Sequence, residues 1–133
     1  MRVFFDTNVL VSAFLARGLC ADLLRLVLSE HTLATSEVVV AELRDVLSRK
    51  GRLPLQQVEA IETLLRDRPV APRPQHTLAL GLVDGDDEWV LASAVLAEAD
   101  WIVTGDQGVL ACCNPPLPVV NQRRCWEQLR PSR

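Results

Sequence analysis

Short apolar runs alternate along the chain with longer segments whose apolar residues recur at the three- and four-residue spacing of a helix. Residues 2–5 form the first run, and residues 31–34, 101–103 and 119–120 form three more. Short runs rich in β-branched and aromatic residues are typical of buried strands. The pattern therefore predicts four strands that are separated from one another by helical or irregular segments.

The helical segments are bounded by residues that commonly begin or end helices. Gly18 is a stop signal, Ser36 is a typical N-cap, and Pro54 suits a first turn because that position tolerates its missing N–H. The predicted helices cover residues 9–16, 21–29, 36–50, 54–66, 88–97 and 123–129.

Three prolines at positions 69, 72 and 74 predict an extended loop between the two halves of the chain. Strands that alternate with helices imply right-handed crossovers and a parallel sheet covered on both faces. We therefore predict an α/β fold, an α/β/α sandwich with a central parallel sheet of four to five strands. Its length of 133 residues fits a single domain over residues 1–133.

The charge of the chain limits how it can hold a nucleic acid. The formal net charge is −3, so a phosphate substrate would need a metal ion or a local arginine cluster. Lys50 is the only lysine. The four cysteines form no Cys-x-x-Cys pair and the two histidines are isolated, so a structural zinc site is not expected. No signal peptide or membrane-length apolar window occurs, which predicts a soluble, cytoplasmic protein.

Four acidic residues lie where they can meet in one pocket. Asp6 follows the first strand, Asp106 follows strand 101–103, and Glu42 and Asp87 belong to helical segments. Ligands of parallel sheets bind at the carboxyl edge of the strands. Several carboxylates in one pocket repel one another unless a cation neutralises them, and oxygen-only ligands suit Mg²⁺ or Mn²⁺. These positions predict a site for one of these ions.

Each of these acids also has a purely structural interpretation. Asp6 and Asp106 stand where a helix N-cap is expected, and Asp is a favoured N-cap residue. Glu42 lies at the edge of an apolar stripe, where it can reach a cleft or face water. Asn8 can orient Asp6 or a bound water, or serve only as a turn residue.

The turn at residues 84–87 contains three acids, Asp84, Asp86 and Asp87. At least one of them is expected to cap the following helix or to face solvent. Asp87 is favoured for chemistry because Val90, Leu91 and Ala94 place its side of the helix against the core.

Four segments in order resemble the motifs of PIN-domain nucleases. Residues 4–10, FFDTNVL, resemble the opening of that family, and residues 38–43, VVVAEL, resemble its central helix. Residues 87–94, DEWVLASA, and residues 99–106, ADWIVTGD, are similar to its third acidic motif and its Thr-Gly-Asp strand end. The similarity covers residues 2 to about 130, and within the family the chain resembles the VapC-like toxins of bacterial toxin–antitoxin systems.

The resemblance implies an activity, a cofactor and partners. Asp6, Glu42, Asp87 and Asp106 would be the catalytic residues and would bind one or two Mg²⁺ or Mn²⁺ ions, with Asn8 and Thr104 supporting them. The protein would be a metal-dependent endoribonuclease that cleaves single-stranded RNA. It would act as the toxin of a toxin–antitoxin pair, bind a cognate antitoxin protein and form a homodimer, for which the apolar stripe of residues 55–65 is one candidate surface.

Residues that contact the RNA are not defined by any motif. Arg17, Arg44, Arg49 and Arg52 are candidate phosphate contacts, and each can equally be a solvated surface charge.

Three other functions are alternatives to a nuclease. The alternative within the family is a catalytically silent PIN-fold module that binds RNA or protein. A response-regulator receiver domain is disfavoured because Lys50 lies in a helical segment and not after the last strand. A haloacid-dehalogenase phosphatase would carry Asp-x-Asp after the first strand, and this chain has Asn8 in place of the second carboxylate.

Overall fold

The computed structural model describes residues 1–82 and 84–130. Its five strands form one parallel sheet in the order β3-β2-β1-β4-β5, which confirms the predicted architecture. The strands are β1 (Arg2–Phe5), β2 (Thr32–Ser36), β3 (Val70–Ala71), β4 (Trp101–Val103) and β5 (Val119–Val120).

The predicted loop at the three prolines is wrong in one respect, because Val70 and Ala71 form the edge strand β3. These two residues pair with Thr35 and Ser36 of β2, and the Thr35 N–H also donates to the carbonyl of Pro69 at 3.1 Å. Proline is compatible with an edge strand, where one row of backbone groups faces away from the sheet. The flanking prolines therefore limit β3 to two residues without preventing it.

The predicted helices are present with small shifts at their ends, and one short helix was not predicted. Ser36 caps α3 as expected, since its hydroxyl accepts from the Val39 N–H at 3.2 Å. The unpredicted helix α6 has four residues, too few to show a helical period. None of the helices in these two ranges is long and apolar enough to cross a membrane. The helices are α1 (Thr7–Leu15), α2 (Leu19–Glu30), α3 (Glu37–Arg49), α4 (Leu55–Arg66), α5 (Gly85–Leu96), α6 (Gln107–Leu110) and α7 (Gln122–Leu129).

Both faces of the sheet are covered. Val3, Phe4 and Phe5 are consecutive in β1 and all three are fully buried. Successive side chains of a strand point to opposite faces, so burial of all three requires packing on both sides. Helix α4 packs on α3 and directs Val58 and Leu65 into that contact, so most of its apolar stripe is used within the chain.

The strand order creates a crevice at the carboxyl ends of β1 and β4. From β1 the chain continues to β2 and β3 on one side of the sheet, and it later returns to form β4 and β5 on the other side. Connections that leave neighbouring strands in opposite directions open a crevice between them, where ligands of such folds bind. Asp6 follows β1 and Thr104 follows β4, so both lie at this crevice.

Candidate functional site

Asp6 is held at the crevice by both of its carboxylate oxygens. Its Oδ1 accepts from the Thr7 N–H at 2.8 Å as the N-cap of α1, and its Oδ2 accepts from the Thr104 hydroxyl at 2.6 Å. Its own N–H donates to the carbonyl of Val103 at 2.9 Å. The side chain is 5% exposed. The N-cap role and a place in the acidic site are therefore compatible.

Thr104 connects Asp6 to Asp106. Its hydroxyl donates to Asp6 and accepts from the Asp106 N–H at 3.0 Å. Asp106 caps α6, since its Oδ1 accepts from the Val109 N–H at 3.1 Å. One buried hydroxyl thus fixes the ends of two neighbouring strands, β1 and β4, relative to each other.

Thr7 makes a contact that the sequence analysis did not identify. Its hydroxyl donates to Oε2 of Glu42 at 3.0 Å, so Glu42 points toward the crevice. Helix α1 begins at Thr7, and Thr7 shares its inward face with Leu10, three residues later. Asn8, the residue singled out from the sequence, is exposed, and its side chain makes no hydrogen bond within the two ranges the structure describes. A helix that begins at Thr7, two residues before the predicted start, turns the Thr7 side chain inward. The correct helix start would therefore have indicated the role of Thr7.

Asp87 lies in the first turn of α5 and is half-buried. Burial, with the negative charges of Asp106 and Asp6 as the next causes, raises the pKa of its carboxyl to about 7. The neighbouring Asp84 and Asp86 are exposed, and Asp84 caps α5 by accepting from the Asp86 N–H at 2.9 Å. Asp87 is the partly buried one of the three acids in this turn, and the charges of Asp86 and Asp84 add to burial in raising the pKa of Glu42.

The carboxylates of the crevice lack cationic partners. Burial raises the pKa of Asp6, against the lowering effect of its hydrogen bonds from Thr104 and Thr7. Burial also raises the pKa of Glu42, and the charge of Asp6 adds to that effect. Among the residues that the structure describes, no Arg, Lys or His side chain forms an ion pair with Asp6, Glu42, Asp87 or Asp106. Several negative charges therefore share a partly desolvated space, which costs folding free energy.

The donor set fits a hard divalent cation. Asp6, Glu42, Asp87 and Asp106 offer only carboxylate oxygens, the ligands that Mg²⁺ and Mn²⁺ prefer. Within residues 1–82 and 84–130, no three His, Cys, Asp or Glu side chains are close enough to enclose an ion together. The four carboxylates interact electrostatically across the crevice, so an ion bound there would draw them together and relieve their repulsion.

The candidate arginines differ in how they are engaged. Arg44 pairs with Glu62 at 2.6 Å, and Arg49 pairs with Asp45 at 2.7 Å, so both have acidic partners on the protein. Arg17 and Arg52 are exposed and form no ion pair in the described part of the chain. Within residues 1–82 and 84–130, these two of the four are the ones whose guanidinium group has no acidic partner.

Replacing Thr104 with Val is expected to lower the free energy of unfolding by about 2 kcal/mol, because it leaves a buried carboxylate oxygen and the Asp106 N–H without their partner. Thr35→Val is the matched control, since Thr35 is fully buried and its hydroxyl has no hydrogen-bond partner in the described residues. That control should be neutral or slightly stabilising. Urea unfolding curves of both variants measure the difference, and equal losses would contradict the assigned role of Thr104.

Comparison with known proteins identifies similar sequences and folds. A family model described as PIN domain matches residues 2–108. The structure of VapBC2 from Rickettsia felis bound to a DNA fragment from their promoter matches with a TM-score of 0.66 and 18% identity, covering 91% of this chain and 98% of that chain. The structure of FitAcB from Neisseria gonorrhoeae matches with a TM-score of 0.61 and 21% identity, covering 91% and 98%. No curated protein matches the sequence. At these identities the solved structures share the fold.

Proposed function

Because the chain belongs to the PIN domain family, we propose that it is a metal-dependent endoribonuclease that cleaves single-stranded RNA. One observation carries the proposal: carboxylates from four separate elements face one crevice and have no cationic partner in the described residues. A cluster of this kind is unfavourable for stability alone, and it suits the binding of a divalent cation next to a phosphate. The metal would be Mg²⁺ or Mn²⁺, held by Asp6, Glu42, Asp87 and Asp106.

The residues of the chain orient this site before any ligand arrives. When bound, a divalent cation supplies charge stabilisation at a phosphodiester and a lowered pKa for a bound water. Asp6 is fixed by Thr7 and Thr104, and Glu42 is fixed by the Thr7 hydroxyl. Hydrogen bonds that fix carboxylates in advance reduce the conformational entropy lost on binding.

We also propose that the protein is the toxin of a bacterial toxin–antitoxin system, with a cognate antitoxin protein as its partner and a homodimer as its assembly. The support is the shared fold, since the similar solved structures include VapBC2, FitAcB and VapBC-1 from nontypeable Haemophilus influenzae. The last of these matches with a TM-score of 0.62 and 20% identity, covering 92% of this chain and 99% of that chain.

Cleavage of labelled single-stranded RNA tests the nuclease directly. The purified protein is expected to cut the RNA with Mg²⁺ or Mn²⁺ and to stop when EDTA removes the metal. Asp6→Asn, prepared in the same way, should lose about a hundredfold or more in rate, and it controls for contaminating nucleases. Undiminished cleavage in EDTA would contradict metal dependence. A folded protein that does not cut with either metal would favour the catalytically silent module.

A further inference from the structure

A cleft of about 440 Å³ lies beside the acidic crevice. One wall is the turn between α1 and α2, and the opposite wall consists of the segments that follow β4 and β5. The loop from Thr104 to Asp106 borders both the cleft and the acidic crevice. Its middle residue, Gly105, lines the cleft, and its two end residues form a hydrogen bond with each other at the crevice. The cleft and the acidic crevice are therefore neighbouring features that share this loop.

The cleft carries unneutralised positive charge. Arg17 and Arg123 line it from opposite walls, both are exposed, and neither forms an ion pair within residues 1–82 and 84–130. No acidic residue is among the described residues that line it. By contrast, Arg25, Arg49 and Arg66 each pair with a carboxylate.

Side-chain amides also line the cleft, next to apolar residues such as Leu19 and Leu110. Gln107, Asn121 and Gln122 bring side-chain amides from the second wall. The Oδ1 of Asn121 accepts from the Arg124 N–H at 2.8 Å, which leaves the amide N–H₂ of Asn121 as a donor. Two guanidinium groups and several amide donors are the chemistry that recognises phosphate oxygens.

We propose that this arginine cleft, defined by Arg17 and Arg123, binds a phosphate group of the RNA strand adjacent to the bond that is cut. The proposal rests on the nuclease function proposed above and adds the site that holds the strand. With a net charge of −3 the protein has no overall attraction for RNA, so an arginine site next to the proposed metal would help to retain the strand. The cleft volume lies in the usual range for small-molecule and nucleotide-sized ligands.

The test compares two double variants in an Asp6→Asn background, which keeps the RNA intact during titration. Arg17→Gln with Arg123→Gln removes both cleft charges. Arg49→Gln with Arg124→Gln removes the same charge outside the cleft, and Arg124 is the exposed neighbour of Arg123 on α7. Binding of a short fluorescein-labelled single-stranded RNA is measured by anisotropy over a series of salt concentrations, with thermal unfolding as the check on folding.

The cleft variant is expected to bind about tenfold more weakly than its parent, and the slope of log Kd against log salt should become shallower by about 0.7, the value for one phosphate of a single strand that is no longer neutralised. The control pair should stay within about threefold of the parent, since it keeps both cleft contacts. Equal weakening in both double variants, or no weakening in either, would overturn the cleft assignment.

Two further measurements show whether a negative result contradicts the cleft assignment alone or the nuclease function as well. Displacement of the labelled RNA by an acidic peptide of equal charge, as efficiently as by unlabelled RNA, would assign the cleft to protein carboxylates and overturn the proposal. Cleavage by the protein with Asp6 intact is followed in parallel. If that protein cuts RNA and the cleft variant binds as tightly as its parent, only the cleft assignment fails. If it does not cut RNA, the nuclease function fails, and the cleft assignment fails with it.

Discussion

Asp87→Asn is expected to lower the rate of metal-dependent RNA cleavage by about a hundredfold or more, the size typical of losing one charged group at an active site. Asp87 is half-buried and its carboxyl interacts with Asp106 and Asp6, so the substitution removes the charge of a proposed metal ligand from the crevice with little change in volume. Initial rates on labelled single-stranded RNA in saturating Mn²⁺ measure the effect, and circular dichroism checks the fold.

The matched control is Asp86→Asn, one residue earlier in the same turn. Asp86 is exposed, and its charge adds to burial and to the charge of Asp6 in raising the pKa of Glu42. Because that charge is solvated, the same change of chemistry there should leave the rate within about threefold of wild type. A similar loss in both variants would mean that the acidity of the whole turn matters and not the position of one carboxylate. Full activity in Asp87→Asn would remove Asp87 from the site.

The second large effect concerns stability without metal, which is expected to fall as the pH rises from 5 to 7.5. The unperturbed pKa of Asp87 is 3.8, and burial together with the charges of Asp106 and Asp6 raises it to about 7, so the folded state binds more protons than the unfolded state between these values. Stability is therefore greatest below the lower pKa and declines until the pH passes the higher one. Asp6 and Glu42 act in the same direction.

The expected decline is about 2 kcal/mol, after the shift of Asp87 is reduced for its partial exposure to solvent. Glu37 and Glu62 contribute with the opposite sign, because ion pairing with Arg66 lowers the pKa of both. The contribution of these two groups to stability changes with pH only below pH 4.5, outside the range from pH 5 to 7.5. A divalent metal at a hundred times its Kd should restore about 2.7 kcal/mol at pH 7.5.

Thermal unfolding at pH 5 and pH 7.5, with EDTA and with Mn²⁺, measures both effects. Asp87→Asn cannot ionise at this position, so it should show a smaller pH dependence in EDTA and a higher Tm than wild type at pH 7.5. The difference between the two proteins cancels the contributions that they share. Two results would contradict electrostatic repulsion among the carboxylates: a wild-type Tm that rises with pH in EDTA, or a pH dependence of the variant equal to that of wild type.

Much of the fold could be predicted from the sequence because the strands are marked by their own residues. β1 and β4 are compact apolar runs that end in polar residues, so their positions and the acids after them were evident. The strand β3 was missed because two residues between prolines carry no pattern, and they form a strand only through pairing with β2. Pairing of that kind is a tertiary property that a local pattern does not contain.

The acidic residues of the site could be predicted from the sequence, but the strand pairing and the hydrogen bonds that connect them could not. The sequence indicated which carboxylates could meet, but the strand order that brings the ends of β1 and β4 together depends on how distant segments pair. Thr7 was overlooked in favour of Asn8 because the first residue of α1 decides which side chain faces inward. From the sequence, an N-cap role and a place at the crevice are alternatives for Asp6 and Asp106. In the structure each of the two residues caps a helix and also lies at the crevice.

The hydrogen bond from Thr104 to Asp6 joins residues that are 98 positions apart, and this has a consequence during synthesis. A nascent chain that has not yet exposed β4 lacks Thr104 and Asp106, and its first strand has no neighbour on that side. Contacts of such long sequence separation form late in folding. Ribosome-bound chains that have not yet exposed β4 would therefore lack part of the proposed site, and the messenger that encodes the protein would meet the proposed nuclease only after β4 has emerged.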